Sequence, residues 1–422
     1  MLKTIRYSVM ALLLGATTAA AASPPARKTL FHEAEKAWAV GTVAFGTPLS
    51  FREGKVLVFP SIFSDLLWAP EGAKPRNLMV VYEVPHDERE APALKRNEHV
   101  FAPIRLLPEN SYWRDNLPNT RRHELAGGKR FAFRGDEIPE VRKHLGAYLA
   151  AMDIKGLERW KGQLRAVAAS LGSKVTVLRE EAAAYIAGYP ALARDFGEEA
   201  LPDVAAYLGG DAPPAEKGSV VDALAAAKVV GLAPVLSSLA EKDDATGAAA
   251  LQGLETLGQG PTTDRLMTLS ASGSPEMRGY AAAALGRRAA ADDKAFGIAK
   301  ALLESGSETP EVRTAVVRGL GEAGGEKVVA LLGEEVGRGD SMSRSAGEAL
   351  ATIGGPASFA VLSRIVVEKK GEAALAAAAG LGQMRACPEC AGFLHEQHEK
   401  HPDETVRNLI SVVLELPAEH KH

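Results

Sequence analysis

Only two cysteines occur in the chain, Cys387 and Cys390, and three histidines follow at intervals of three, so residues 387–401 read C-x2-C-x4-H-x2-H-x2-H. Three kinds of chemistry fit these residue types. Two thiols separated by two residues can close a small disulfide, which an oxidising compartment favours. The same pair at a helix start suits thiol–disulfide exchange, because a helix N-terminus stabilises a thiolate; the βαβ pattern of thioredoxin-like proteins does not surround it. Thiolates combined with imidazoles suit zinc or copper, and Cys387, Cys390, His395, His398 and His401 are the candidate ligands, since residues three apart share a helical face. His420 and His422 extend the histidine-rich tail. The opposing reading is a solvated helix face that also carries Glu396 and Glu399. Cys390 is followed by Ala391 rather than His, so a haem-attachment motif is excluded. No other cofactor is implied.

Elsewhere the sequence is poor in chemistry. It contains no G-x-S-x-G, no H-E-x-x-H and no P-loop, so no catalytic residue is assigned and an enzyme is not expected. Arg121, Arg122, His123, Lys129, Arg130 and Arg134 lie near Tyr112 and Trp113, a basic and aromatic mix that could hold single-stranded nucleic acid or sugar. Asp115, Glu124 and Asp136 interleave with them. Over the whole chain 49 Lys and Arg stand against 53 Asp and Glu, a formal charge of -4 that gives no drive toward polyanions. Nucleic acid is not the expected partner.

The elements that position these residues divide the chain in two. Of 24 aromatic residues, 20 precede residue 218. Five runs rich in β-branched and aromatic residues, 37–45, 55–63, 77–84, 99–106 and 130–134, are bounded by Pro, Gly, Asn and Asp and predict strands of a small barrel or sandwich. The opening Ala34 to Val43, a hydrophobic strand ending in Gly-x-Val, resembles the first strand of OB-like secreted modules. A β-rich module over 29–135 is expected. From Asp136 the periodicity becomes helical, with Ile138, Val141, Leu145, Tyr148 and Leu149 on one stripe. Residues 136–210 read as a helical segment or degenerate capping repeats, and Pro213, Pro214 and Gly218 mark 211–218 as a linker.

Beyond it a period emerges. Leu224, Leu254, Leu285, Leu320, Leu350, Leu381 and Leu414 follow one another at intervals of 30, 31, 35, 30, 31 and 33. Several units share a phrase: Pro275-Glu276-Met277-Arg278 before Leu285, Pro310-Glu311-Val312-Arg313 before Leu320, and Glu404-Thr405-Val406-Arg407 before Leu414. Pro fits the first helical position, Glu complements the helix dipole, and Ala runs let helices approach closely. Ser343 and Ala374 stand where other units carry Arg. This pattern resembles the short bacterial HEAT-like repeats, which implies an all-α solenoid over 219–422 and a protein or peptide partner. Arg278, Arg313 and Arg407 are expected to stabilise the array or bond a neighbouring repeat.

The first residues read as a signal peptide, 1–22, with Lys3 and Arg6 before an apolar stretch and Ala20-Ala21-Ala22 before a cleavage near Ser23. A periplasmic or secreted protein follows. No later run approaches the roughly 20 apolar residues of a membrane span. The expected molecule is α+β and multidomain: an OB-like β-rich module followed by a HEAT-like solenoid.

Overall fold

A computed structural model describes residues 28–415, except 53, 71–76, 89–92, 114–121, 190–193, 195 and 385–386. The expected signal peptide and its cleavage site, and His420 and His422, lie outside the described residues. Two compact units divide the chain, one running up to Glu241 and including Ala249–Gln259, the other taking Lys242–Ala248 and the chain from Gly260 onward.

The first unit opens with α1 (Leu30–Glu35) and a barrel built from β1 (Ala39–Phe45), β2 (Leu49–Phe51), β3 (Val56–Trp68), β4 (Asn77–Glu83), β5 (His99–Leu106) and β6 (Arg122–Leu125). Five strands close the ring in the order β1-β5-β6-β4-β3 and back to β1, while β2 is a hairpin arm on β3. Every pairing is antiparallel except β4 with β6. The result is a small, closed, five-stranded β-barrel. Alternation places Val43, Phe45, Phe59, Val80, Val100, Ala102 and Ile104 in its core.

Four of the five predicted strands stand close to their expected places, and the fifth does not. Phe131 and Phe133 predict a strand over 130–134, but Gly128–Phe131 is a 3-10 turn and Phe133 forms a single bridge to Phe101. The closing strand is β6, whose sequence Arg-His-Glu-Leu shows no β-branched residue. Phe131 and Phe133 are buried as plugs beside the barrel, so their hydrophobicity signals burial and not pairing.

Helices α2 (Glu137–Ala150), α3 (Leu157–Ser170), α4 (Thr176–Gly188), α5 (Leu201–Gly209), α6 (Pro214–Ala226) and α7 (Leu232–Leu239) complete most of this unit. The prolines expected to mark a linker open α6 instead: Pro213 is its N-cap and Pro214 begins the helix. Lys217 is buried and donates to the Gly210 carbonyl at 2.6 Å. Proline at the first turn starts a helix as readily as it ends one. The division between units falls later, within α8 (Ala245–Thr256).

Helix α1 is tied firmly to this unit. Buried Glu181 accepts the Leu30 N–H at 3.0 Å and forms an ion pair with the Arg130 guanidinium at 2.8 Å. Phe31 packs on Tyr148 and Tyr185 with ring centroids 5.1 and 5.7 Å apart, and Arg159 pairs with Glu35 at 2.7 Å.

The second unit continues with five helix pairs: α9 (Thr263–Ser272) and α10 (Pro275–Arg288), α11 (Asp293–Glu304) and α12 (Pro310–Ala323), α13 (Glu326–Arg338) and α14 (Ser343–Ile353), α15 (Gly355–Glu368) and α16 (Gly371–Gln383), α17 (Pro388–Lys400) and α18 (Glu404–Glu415). The seam leucines Leu285, Leu320, Leu350, Leu381 and Leu414 all fall in the second helix of a pair. Four of them are buried and Leu414 packs against the edge of the same core. Thr262, Ser274, Asp292 and Thr309 cap α9 to α12 with side-chain oxygens, satisfying amides that have no intrahelical partner.

Second helices stack at backbone distance. A Cβ on Gly286 would lie 2.7 Å from the Val316 carbonyl oxygen and 2.8 Å from the Leu320 nitrogen, and one on Gly319 would collide with the Ala283 carbonyl. Among the described residues, no helix is long and apolar enough to cross a membrane. Gly319→Ala should therefore cost about 1–3 kcal/mol through overpacking. Gly297→Ala, where nothing lies within 4 Å of the added carbon, should instead add about 0.5–1 kcal/mol from helix propensity. Denaturant melts of the two variants against the parent check both signs.

Candidate functional site

The C-terminal cluster resolves into separate roles. Cys387 is the N-cap of α17, Pro388 is its first residue, and Cys387 is joined to Cys390 by a disulfide. Cys390 is buried beside Met384, with the two sulfurs 3.9 Å apart, while Cys387 is half-buried. His395 and His398 project from the exposed face of α17. His401 departs from that face. Only 1% exposed, it ends α17 with Nε2 2.9 Å from the Val366 carbonyl oxygen and Nδ1 3.1 Å from the Asp403 N–H. The first contact needs a ring N–H and the second a bare nitrogen, so one neutral tautomer satisfies both.

The five candidate ligands therefore do not converge. Among the described residues, no three His, Cys, Asp or Glu side chains are grouped to hold an ion. His401 spends both ring nitrogens on backbone, and the cysteines are committed to each other. The regular three-residue spacing concealed this, because His401 lies just past the helix end and its ring turns inward.

Each arginine of the repeated phrase joins the array together. Arg278 bonds the Ser270 carbonyl at 3.1 Å and pairs with Glu308. Arg313 reaches Glu335 at 2.9 Å and Asp340 at 3.6 Å. Arg407 donates to the His401 carbonyl at 2.5 Å. Where Arg is replaced by Ser343, that hydroxyl donates to the Glu335 carbonyl at 3.1 Å and accepts the Asp340 N–H at 3.0 Å. A different side chain thus serves the turn between α13 and α14. Further ion pairs link equivalent positions one repeat apart, Asp264 with Lys294 and Asp293 with Lys327.

What remains outward on the second helices is a row set by four-residue spacing. Thr314, Arg318 and Glu322 occupy it on α12, and Arg344, Glu348 and Thr352 hold the same places relative to the seam leucine on α14. Arg287 of α10 lies 3.8 Å from Glu322, and Arg344 pairs with Glu348 at 3.2 Å. On α16 the row becomes Leu375, Ala379 and Gln383. The row is mixed in charge at the centre and more apolar on α16, with Asn408 and Val412 in the same places on α18.

On the barrel, the basic residues are dispersed and paired. Lys129 pairs with Asp87 and buried Glu88, Arg130 with Glu180 and Glu181, and Arg134 with Glu98. Burial and the bond to Glu88 push the Tyr82 hydroxyl well above its ordinary range. Arg121 and Asp115 lie outside the described residues. One contact has no local signal in the sequence: Arg52, after β2, lies 4.6 Å from the Tyr112 ring centre and 5.0 Å from that of Trp113. Trp113 in turn donates to Glu83 at 3.2 Å. Arg52 and Tyr112 are 60 positions apart in sequence, and only the closed strand order predicts that these two loops meet.

A family model of HEAT repeats matches residues 262–351. The C-terminal half is accordingly a run of helices consistent with HEAT-like repeats. No curated protein matches. Among solved structures, human deoxyhypusine hydroxylase in complex with glycerol is similar at 17% identity over 63% of this chain and 97% of that chain, with a TM-score of 0.27.

Glu335 yields a prediction. Burial raises its carboxyl pKa even though Arg338 and Arg313 pull the other way. A folded pKa above the unfolded one means the folded state binds more protons between the two values, so this group's contribution declines as pH rises through that window. Arg313→Met should destabilise the protein by roughly 1–3 kcal/mol at pH 7, where the buried carboxylate keeps only Arg338 as its partner. The loss should shrink near pH 4.5. Denaturant titrations of parent and variant at both pH values measure it.

Proposed function

We propose that this chain is an exported, non-enzymatic interaction protein that binds a protein or peptide along the second-helix row of its HEAT-like array. The observation that carries this reading is the division of labour within the repeat. Leucine, alanine, glycine and the phrase arginines are consumed in packing and joints, whereas Thr314, Arg318, Glu322, Arg344, Glu348 and Thr352 form a continuous row facing outward. A repeat array presents such a row over an extended length, which suits a partner larger than a small metabolite. The row alternates in charge, which favours a polar protein surface or peptide over a polyanion.

Export is supported by the residue pattern of 1–22 and by the Cys387–Cys390 disulfide, because disulfides persist in oxidising compartments. The non-enzymatic reading is supported by the absence of a known catalytic motif from the sequence.

Two outcomes are expected. The mature protein recovered from a periplasmic or secreted fraction should begin at or within a few residues of Ser23 by N-terminal sequencing. Full-length protein carrying Arg318→Glu and Arg344→Glu should lose at least about tenfold in affinity for its co-purifying partner while retaining its melting temperature. Unaltered binding would place recognition elsewhere.

A further inference from the structure

We propose that the Cys387–Cys390 disulfide is a thiol–disulfide exchange site that takes an electron pair from the dithiol of a protein or peptide. Three features of α17 carry this and a fourth moderates it, and none depends on the second-helix row.

The two sulfurs are unequal in access. Cys390 is 4% exposed and packs against Met384, whereas Cys387 is half-buried at the rim. An incoming thiolate therefore reaches one sulfur and not the other. The disulfide also closes a loop of only two intervening residues, which constrains the unfolded chain little. Helix α17 is held by other means, through buried Leu394 and the His401 contacts to Val366 and Asp403.

The third feature is the position of Cys387. On α9 to α12 the N-cap side chain is an oxygen acceptor that bonds the first-turn amides. Cys387 holds the corresponding place on α17, and no side-chain capping bond forms there. Reduction would put a thiolate at that place, beside the positive end of a 13-residue helix. A capping acceptor of the kind α9 to α12 carry, which α13 to α16 lack, is thus available to α17 only when the disulfide is open, which favours the reduced state and makes the pair an oxidant.

The fourth is a brake. The Glu389 carboxylate lies 3.9 Å from Cys387 Sγ, and its negative charge opposes a thiolate at that atom.

The reaction balances as follows. A partner thiolate attacks Cys387 Sγ, forming a partner–Cys387 bond and breaking the Cys387–Cys390 bond; Cys390 leaves with the electron pair and takes up a proton. The partner's second thiolate then attacks its own sulfur in the mixed disulfide, and Cys387 departs as the thiolate at the helix start. The partner dithiol is oxidised to a disulfide and the Cys387–Cys390 pair is reduced; of the two protons given up by the partner, Cys390 takes one and solvent the other, which leaves Cys387 as the thiolate.

The test uses the full mature chain, oxidised, with a synthetic peptide carrying two cysteines as the probe. The protein should oxidise the peptide at least about tenfold faster than oxidised glutathione does at the same concentration and pH, and Glu389→Gln should accelerate it further. Cys390→Ser should trap a mixed disulfide through Cys387 on addition of a peptide disulfide, while Cys387→Ser should trap far less. Reduced parent protein should melt at or a few degrees above the oxidised form, since the short loop contributes little and the thiolate caps α17. A rate equal to or below that of glutathione, or a reduced protein that melts well below the oxidised one, would make the bond a structural brace and overturn the proposal.

Discussion

Contact between the backbones of successive second helices is the constraint on which the repeat array depends. Gly286 and Gly319 leave no room for a Cβ, and the same is true at Gly347 and Gly380, where an added carbon would lie 2.7 Å from the carbonyl oxygens of Ala376 and Gly347 respectively. Helices this close cannot interpose large side chains at that contact, so alanine and glycine stand there, and the buried core around them is filled by valines and the seam leucines. The sequence regularity of the array is a record of that exclusion.

Polar groups then solve the problems that close packing leaves at the ends of the helices. Capping oxygens on four successive helices, the Arg278–Glu308 pair, and Glu335 shared between Arg313 and Arg338 all lie at turns. Buried Glu335 is tolerable because two guanidiniums and a helical turn surround it. His401 performs an equivalent task for α17 with two backbone bonds. In each case a residue type that suggests chemistry when met in sequence is consumed by the joint it stabilises.

This explains which features were legible beforehand. The period, the second-helix positions of the leucines and the role of the phrase arginines follow from local rules, because helix packing repeats every pair. The barrel class and four strands were likewise readable from β-branched and aromatic runs. The closing strand was not, since β6 pairs in parallel with β4 and antiparallel with β5 through long-range topology that Arg122–Leu125 does not advertise. Pro213 and Pro214 carry the same local signal whether they end one element or begin another. Three histidines at equal spacing suggested one metal face, and a helix that stops at Lys400 broke it by turning the last ring inward. The meeting of Arg52 with Tyr112 and Trp113 depends on ring closure and has no local signature.

The chain's organisation thus separates residues that build the array from those that face outward on it, and the proposed reading gives the second set to a partner. Site-specific photo-cross-linking in the native cell tests that separation most directly. A photoreactive side chain at Arg318 or Glu348 should give discrete adducts with another polypeptide, whereas the same group at Lys300 on a first helix, or at Tyr112 on the barrel, should not. Adducts confined to Lys300 or Tyr112 would contradict the account and move recognition off the second-helix row.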